Sequence, residues 1–308
     1  VSIVFNDHPE PEDGTNNLLD KNEIEYRNKN LKLILSLGLD SWWYDRNWHT
    51  ALNPIHNDLS IYTTGQYAFQ WITEEYYESI ADVDEYARRA LIMANVDGIL
   101  NGILQYAPEL ASHRYSIQWT GDINCESIDL EYEIFNAIYG GAEMGLPYVS
   151  ADIGGHRFEV SDDMYVRWMQ FGALSPILRV HCTRPYSRMP WLYGETAEAV
   201  THNYVDMRYR LLPLYYTLSH ENYETGLPVV RRLDIQYPQY AESANNYQYL
   251  LGDTILVAPL SETYAYAEDY KLESDGQPGL KAEYFNTVNL TGEPVLVKQD
   301  EKVYFNWE

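Results

Sequence analysis

Cysteine is scarce: Cys125 and Cys182 are the only two in 308 residues. Neither has a CxxC neighbour, which excludes a disulfide framework and leaves two buried thiols as the reading. Basic residues are also few, 21 Lys and Arg against 46 Asp and Glu, for a net charge of −25. Such a chain does not supply the clustered cations that a nucleic-acid backbone demands. It suits a neutral or cationic ligand, or the acidity serves solubility alone. No apolar run reaches the roughly 18 residues of a membrane span. GxGxxG, GxxxxGK[ST] and GxSxG are all missing. Among His8, His49, His56, His113, His156 and His181 no pair has HxxxH or HxH spacing, so neither a metal nor a cofactor is expected. The start lacks Met, a charged n-region and a signal peptide; Val1-Ser-Ile-Val-Phe5 reads as a strand, and the expectation is a fragment cut at both ends.

What the chain has in excess is aromatic. With 29 tyrosines and 8 tryptophans it is rich in flat amphipathic rings, which fill cores or stack on the C–H faces of sugars. Two aspartates close aromatic segments: Asp45 in Ser41-Trp-Trp-Tyr-Asp45 and Asp122 in Ile117-Gln-Trp-Thr-Gly-Asp122. A carboxylate beside indole rings at the mouth of a buried strand is costly unless it is used. Two of them match the nucleophile and proton donor of glycoside hydrolysis, although each alone also reads as a strand-end aspartate.

Short apolar runs at 2–5, 41–44, 98–104, 117–119, 148–151 and 177–180 predict strands, alternating with helical periods at 81–95, 129–139 and 162–171. In the second helix Leu130, Ile134, Ala137 and Ile138 share a face, and Gly140-Gly141 reads as a stop. Strand–helix alternation predicts an α/β fold with a parallel sheet and its site at the strands' C-terminal ends. Asp45, Asp122, Asp152 and His181 each stand at such an end. Beyond Pro190 two helices are expected, 197–212 and 213–225, broken at Pro213 and closed by Gly226. β-like runs follow at 227–231 and 250–259.

These segments resemble glycoside hydrolase family 31, the α-glucosidase/α-xylosidase family. Ser41-Trp-Trp-Tyr-Asp-Arg-Asn47 is similar to its nucleophile strand, and His113-Arg-Tyr-Ser-Ile-Gln-Trp-Thr-Gly-Asp122 to its acid/base segment. Gly145-Leu-Pro-Tyr-Val-Ser-Ala-Asp-Ile-Gly-Gly155 and the stretch ending Arg179-Val-His181 follow in family order. Farther on come Arg210-Leu-Leu-Pro213, Thr225-Gly-Leu-Pro228 and Tyr249-Leu-Leu-Gly-Asp253. The resemblance implies a partial (β/α)8 TIM barrel, about strands 3–8, followed by a β-sandwich. Its boundaries would be a catalytic barrel at 1–190, its helical end at 191–226, the start of a C-terminal β-sandwich at 227–262, a linker at 263–278 and the start of a PA14-like β module at 279–308. With strands missing the sheet cannot close, so this piece alone is expected to be inactive and prone to aggregate. A PA14-like tail favours an extracellular or periplasmic setting, with the compartment itself left open.

The activity so implied is that of a retaining, exo-acting α-glycosidase on an oligosaccharide or α-glycoside. Asp45 would be the nucleophile and Asp122 the acid/base, their carboxyls about 5–5.5 Å apart. Trp119 would supply the apolar wall that keeps Asp122 protonated. Trp119, Asp152 and His181 would line the sugar subsite, with Trp43 as packing or platform. One departure stands out. Where family members carry a sugar-holding arginine ahead of the acid/base, this chain has Tyr106. Tyrosine offers neither charge nor fork, so the sugar is open among α-glucosides, α-xylosides, α-galactosides and α-N-acetylgalactosaminides. The rival from another class is a catalytically inactive carbohydrate-binding barrel.

Overall fold

The structure, a computed structural model, describes residues 4–6, 26, 29–30, 33, 36–37, 41–44, 91–94, 99–100, 103–104, 117–261, 273–274, 277–278, 280–284 and 292–300. The chain divides into two compact units, Val1–Ser261 and Glu262–Glu308.

Three short runs open the first unit: β1 (Val4–Asn6), β2 (Ser41–Tyr44) and β3 (Ile92–Ala94). A hairpin of β4 (Ile99–Leu100) and β5 (Ile103–Leu104) precedes β6 (Ile117–Trp119) and β7 (Val149–Ser150). Strands β1, β2, β3, β6 and β7 form one sheet in that order, every pairing parallel. Val4 faces Ser41, Trp42 faces Ile92, Met93 faces Ile117, and Gln118 faces Val149. All strands therefore end on the same edge, where Trp43, Trp119 and Ser150 are buried.

Two expectations fail here. The helix expected over 81–95 gives way at its end to β3; a strand buried on both faces is continuously apolar, and Ile-Met-Ala fits either period. Its remaining residues 81–90 lie outside the described residues. The strand expected at 98–104 is instead the hairpin, Leu100 facing Ile103 across Asn101-Gly102. That dipeptide is the sequence signal of a two-residue hairpin turn.

Helix α1 (Ser127–Ala142) starts where the Asp129 carboxylate accepts the Glu126 N–H at 2.9 Å. Its Leu130, Ile134, Ala137 and Ile138 are buried, as their spacing predicts. Burying Leu130 and Ile138 completely is worth about 1.5–3 kcal/mol apiece. The helix does not stop at Gly140-Gly141. A Cβ on Gly140 would meet Val149 Cγ2 at 2.5 Å and one on Gly141 would run into the Val230 carbonyl, so these glycines let the helix touch its neighbours.

Helix α2 (Asp162–Leu174) begins at Ser161, whose hydroxyl accepts the Met164 N–H. It buries Tyr165 and Trp168 fully. Helix α3 (Gly194–Thr225) runs unbroken through Pro213 and ends at Gly226, φ 78°. The break expected at Pro213 is absent because tertiary bonds pin both flanking turns. Arg208 donates to the carbonyls of Ala173, Ser175 and Pro176, and Tyr215 donates to those of Ala173 and Ser175.

After α3, β8 (Val230–Arg232), β9 (Tyr249–Leu251) and β10 (Ile255–Val257) form an antiparallel sheet in the order β10-β9-β8. In the second unit, β11 (Glu273–Ser274) pairs with β12 (Gln277–Pro278) inside what the sequence offers as linker. Strand β13 (Leu280–Tyr284) pairs antiparallel with β14 (Leu296–Asp300). No helix among the described residues is long and apolar enough to cross a membrane.

Candidate active site

Beyond the C-terminal ends of β6 and β7 the chain turns into loops that meet the segment after Val180. The strand expected at 177–180 is reduced to a single parallel bridge between Ile153 and Val180, with the Ile153 N–H donating to the Arg179 carbonyl at 3.0 Å. This bridge lays Asp152 beside Arg179 and His181.

Asp152 is completely buried. Its Oδ1 accepts the Trp119 Nε1–H at 2.8 Å and an Arg179 Nη2–H at 2.5 Å. Arg179 is fixed further by Nε donating to Ser150 Oγ at 3.3 Å. Its guanidinium carbon lies 4.4 Å from the centroid of the Trp43 ring, a cation–π contact. Trp43 stands edge-on to both Trp119 and His181, at centroid distances of 4.8 and 4.7 Å. Burial pushes the Asp152 carboxyl up, but Arg179, with His156 and His181, more than offsets this and holds it below the ordinary carboxylate range. Burial lowers His181 most; Asp152 acts against that, and Arg179 and His156 add to it, leaving the imidazole below its usual value. A neutral His181 has one donor and one acceptor nitrogen, and an ionised Asp152 only accepts.

The second carboxylate is Asp122, in the loop after β6 and 33% exposed. Its Oδ2 lies 3.5 Å from His156 Nε2 and 3.4 Å from Arg157 Nη2. His156 Nδ1 in turn lies 3.3 Å from Asp152 Oδ2, so one imidazole stands between the two acids.

The loop from Asp152 to Phe158 is held from beneath. Arg188, almost fully buried, donates to the carbonyls of Gly155, Arg157 and Phe158 and to the Tyr193 hydroxyl. Gly154 and Gly155 take φ of 93° and 79°, a region that favours glycine.

Of the residues singled out by sequence, Trp43, Trp119, Asp122, Asp152 and His181 thus gather at one edge of the sheet. Asp45 and Tyr106 lie outside the described residues. Sequence reasoning missed His156, Arg157, Arg179 and Arg188 as site residues. A histidine and an arginine directly after Gly154-Gly155 were the available signal for the first two. Asp152, His156 and His181 also bring three possible ligand atoms within 4.8 Å of one another. Their spacing in sequence matches no histidine pair, so the motif search passed over them. The trio is a poor fit to a metal ion, because Arg179 already places a full positive charge on Asp152.

The strand ends that gather a buried, tryptophan-bonded carboxylate and a part-exposed one are where a parallel α/β sheet ordinarily carries a small-molecule site. Residues 9–218 match the family model described as the glycosyl hydrolases family 31 TIM-barrel domain, and the chain belongs to that family of glycosidases. It is similar to human (Homo sapiens) neutral alpha-glucosidase AB, 36% identical over 168 residues, covering 54% of this chain and 18% of that protein. Against alpha-glucosidase 2 of Bacillus thermoamyloliquefaciens it is 34% identical over 168 residues, 53% of this chain and 21% of the relative. The crystal structure of a family 31 alpha-glucosidase from Bacteroides thetaiotaomicron superposes with a TM-score of 0.66 at 25% identity, over 90% of this chain and 44% of that one. The chain spans about a fifth of the length of these curated relatives.

Proposed function

We propose that this chain carries the catalytic core of a retaining, exo-acting α-glycoside hydrolase, α-glucosidase-like in type, acting on an oligosaccharide or other α-glycoside. The observation that carries this reading is the pairing of a solvent-facing acid, Asp122, with a buried, aromatic-walled Asp152 one imidazole away. The two differ in environment as a proton-transferring group and a hydroxyl-binding group should.

In this mechanism Asp45 attacks the anomeric carbon while Asp122 gives its proton to the departing glycosidic oxygen. The resulting β-linked glycosyl-enzyme is opened by water, whose proton returns to Asp122 as the bond to Asp45 breaks. Two inversions retain the α configuration. Asp152 accepts from sugar hydroxyls, His181 donates or accepts, and Trp119 and Trp43 give the subsite its apolar wall. Tyr106, standing where relatives of this family hold the sugar with arginine, leaves the choice of sugar to be measured.

In the same reading β1, β2, β3, β6 and β7 are an arc of a (β/α)8 barrel, about strands 3–8 of which fall within 1–190, with 191–226 its helical end. The β8–β10 sheet opens a C-terminal β-sandwich at 227–262, and β13 with β14 opens a PA14-like module at 279–308 after a linker at 263–278.

Asp45→Asn in the intact protein tests the proposal. Turnover of an aryl α-glycoside panel is expected to vanish and to return with added azide as the β-glycosyl azide. Unchanged turnover removes the mechanism. Sugar binding without any turnover in the wild type replaces the enzyme with a binding barrel, the reading that Tyr106 motivates.

A further inference from the structure

Two loops meet beside Asp122, and a backbone bond joins them one residue away from it. The His156 N–H donates to the Ile123 carbonyl at 2.7 Å, linking the chain neighbours of Arg157 and Asp122. Gly155 lets the loops approach so closely that a Cβ on it would run into the Asn124 carbonyl and Cys125. The Thr183 N–H donates to the His156 carbonyl at 2.8 Å, and the buried Arg188 donates to the carbonyls of Arg157 and Phe158. The backbone that carries Arg157 is thus tied to three other segments before its side chain makes any contact.

From that backbone the Arg157 guanidinium reaches Asp122. Its Nη2 donates to Oδ2 at 3.4 Å, a long bond of the kind catalytic groups show before a substrate is bound. The two side chains are 45% and 33% exposed, so as a plain surface pair they would add little to stability. Every contact to the Asp122 carboxyl among the described residues goes to Oδ2: the Arg157 bond, and His156 Nε2 standing 3.5 Å away. Oδ1 is the oxygen turned to other uses.

We propose that Arg157 is a positioning residue for the acid/base: it holds Asp122 Oδ2, turns Oδ1 to the glycosidic oxygen and offsets the charge Asp122 gains as its proton leaves. The inference rests on Asp122 being the acid/base. In the first step the Oδ1 proton passes to the glycosidic oxygen, which keeps the electron pair of the breaking C1–O bond, and the Asp45 carboxylate bonds to C1. Asp122 goes from neutral to negative while Arg157 stays cationic, so their attraction grows along the path. In the second step water's oxygen bonds to C1, one of its protons goes to Oδ1, and Asp45 leaves with its electron pair. Loss of Arg157 leaves the acid present but loosely aimed and its new charge uncompensated, which harms the steps that need proton transfer and spares the rest.

The experiment compares Arg157→Lys, which keeps the cation, with Arg157→Gln, which removes it, in the intact protein and with the sugar that the aryl-glycoside panel selects. The probes are the methyl α-glycoside, whose leaving group needs a proton, and the α-glycosyl fluoride, whose leaving group needs little help. The readout is kcat/KM, which covers only the steps up to departure of the leaving group. Arg157→Gln is expected to lower it by about 5–50-fold for the methyl glycoside and by less than about threefold for the fluoride. Arg157→Lys should recover most of the methyl-glycoside loss. Equal losses on both probes, no loss on either, or a lysine variant as impaired as the glutamine one overturn the inference. A double-mutant cycle on the phenyl α-glycoside then fixes the route of the effect. With Asp122 already replaced by alanine, Arg157→Gln should cost less than about twofold; a loss that persists shows that Arg157 acts on the leaving group itself and overturns the inference. Asp122→Ala alone should show the same selectivity between methyl glycoside and fluoride at about 100-fold or more. If it shows none, or the wild type turns over no member of the panel, the acid/base reading falls and this inference with it. Selectivity in Asp122→Ala but not in Arg157→Gln overturns the inference alone.

Discussion

Asp152 is costly to bury, and Arg179 is the largest of the groups that offset the cost, ahead of His156 and His181. Removing that guanidinium strands a carboxylate with no solvent access. Arg179→Ala is expected to destabilise the protein by about 3–5 kcal/mol, read as a lowered urea midpoint. The pH dependence follows from the lowered carboxyl. A depressed acid contributes stability that is fully present above its unfolded value, about 3.9, and is lost as pH falls through the lower folded value. The stability gap between wild type and Asp152→Asn should therefore hold steady from pH 7 to about 4 and narrow only below that; a gap that closes between pH 7 and 5 contradicts the assignment. Asp152, Trp119 and His181 were legible in the sequence because each ends a strand or precedes a glycine turn. Arg179 was visible only as a neighbour of His181. His156 was signalled only by its place after Gly154-Gly155, and Arg188 was not legible, because the loop carbonyls it binds lie about 30 residues away and chain spacing does not encode which loops meet.

Among the elements, the loop from Asp152 to Phe158 depends most on one backbone feature. Gly155 combines φ 79° with close contacts: a Cβ there would meet the Asn124 carbonyl and Cys125 at 2.5 Å. Gly145 has a similar φ of 66° but open space around it. Gly145→Ala should cost about 1–2 kcal/mol, the left-handed strain alone. Gly155→Ala should cost clearly more and shift His156 off Asp122, seen as a larger fall in Tm with loss of turnover. Equal falls would show that the crowding is relieved at no cost. The need for glycine in this loop could be read from Gly154-Gly155 beside Asp152. Pro213 misled for the opposite reason. Local chemistry predicts a break, while Arg208 and Tyr215 supply distant bonds that hold the helix together across it.

At the scale of the whole molecule, alternation of strand and helix made the parallel sheet legible, whereas the identity of its third strand was hidden by the ambiguity of a short apolar run. On the proposed reading the chain holds only part of a barrel, and an unclosed sheet exposes pairing edges. On that reading the 308-residue chain is expected to elute as aggregate and to show no turnover; a soluble monomer with full activity contradicts the partial-barrel proposal. Its net charge of −25 works against association and should slow that aggregation at low salt more than at high salt. The Arg188 clamp has a separate consequence for traffic through the site. Its guanidinium holds the carbonyls of Gly155, Arg157 and Phe158 from the interior, which braces the wall bearing His156 and Arg157 against swinging. On the proposed reading, a sugar that enters beside the part-exposed Asp122 meets a braced wall on that side of the site.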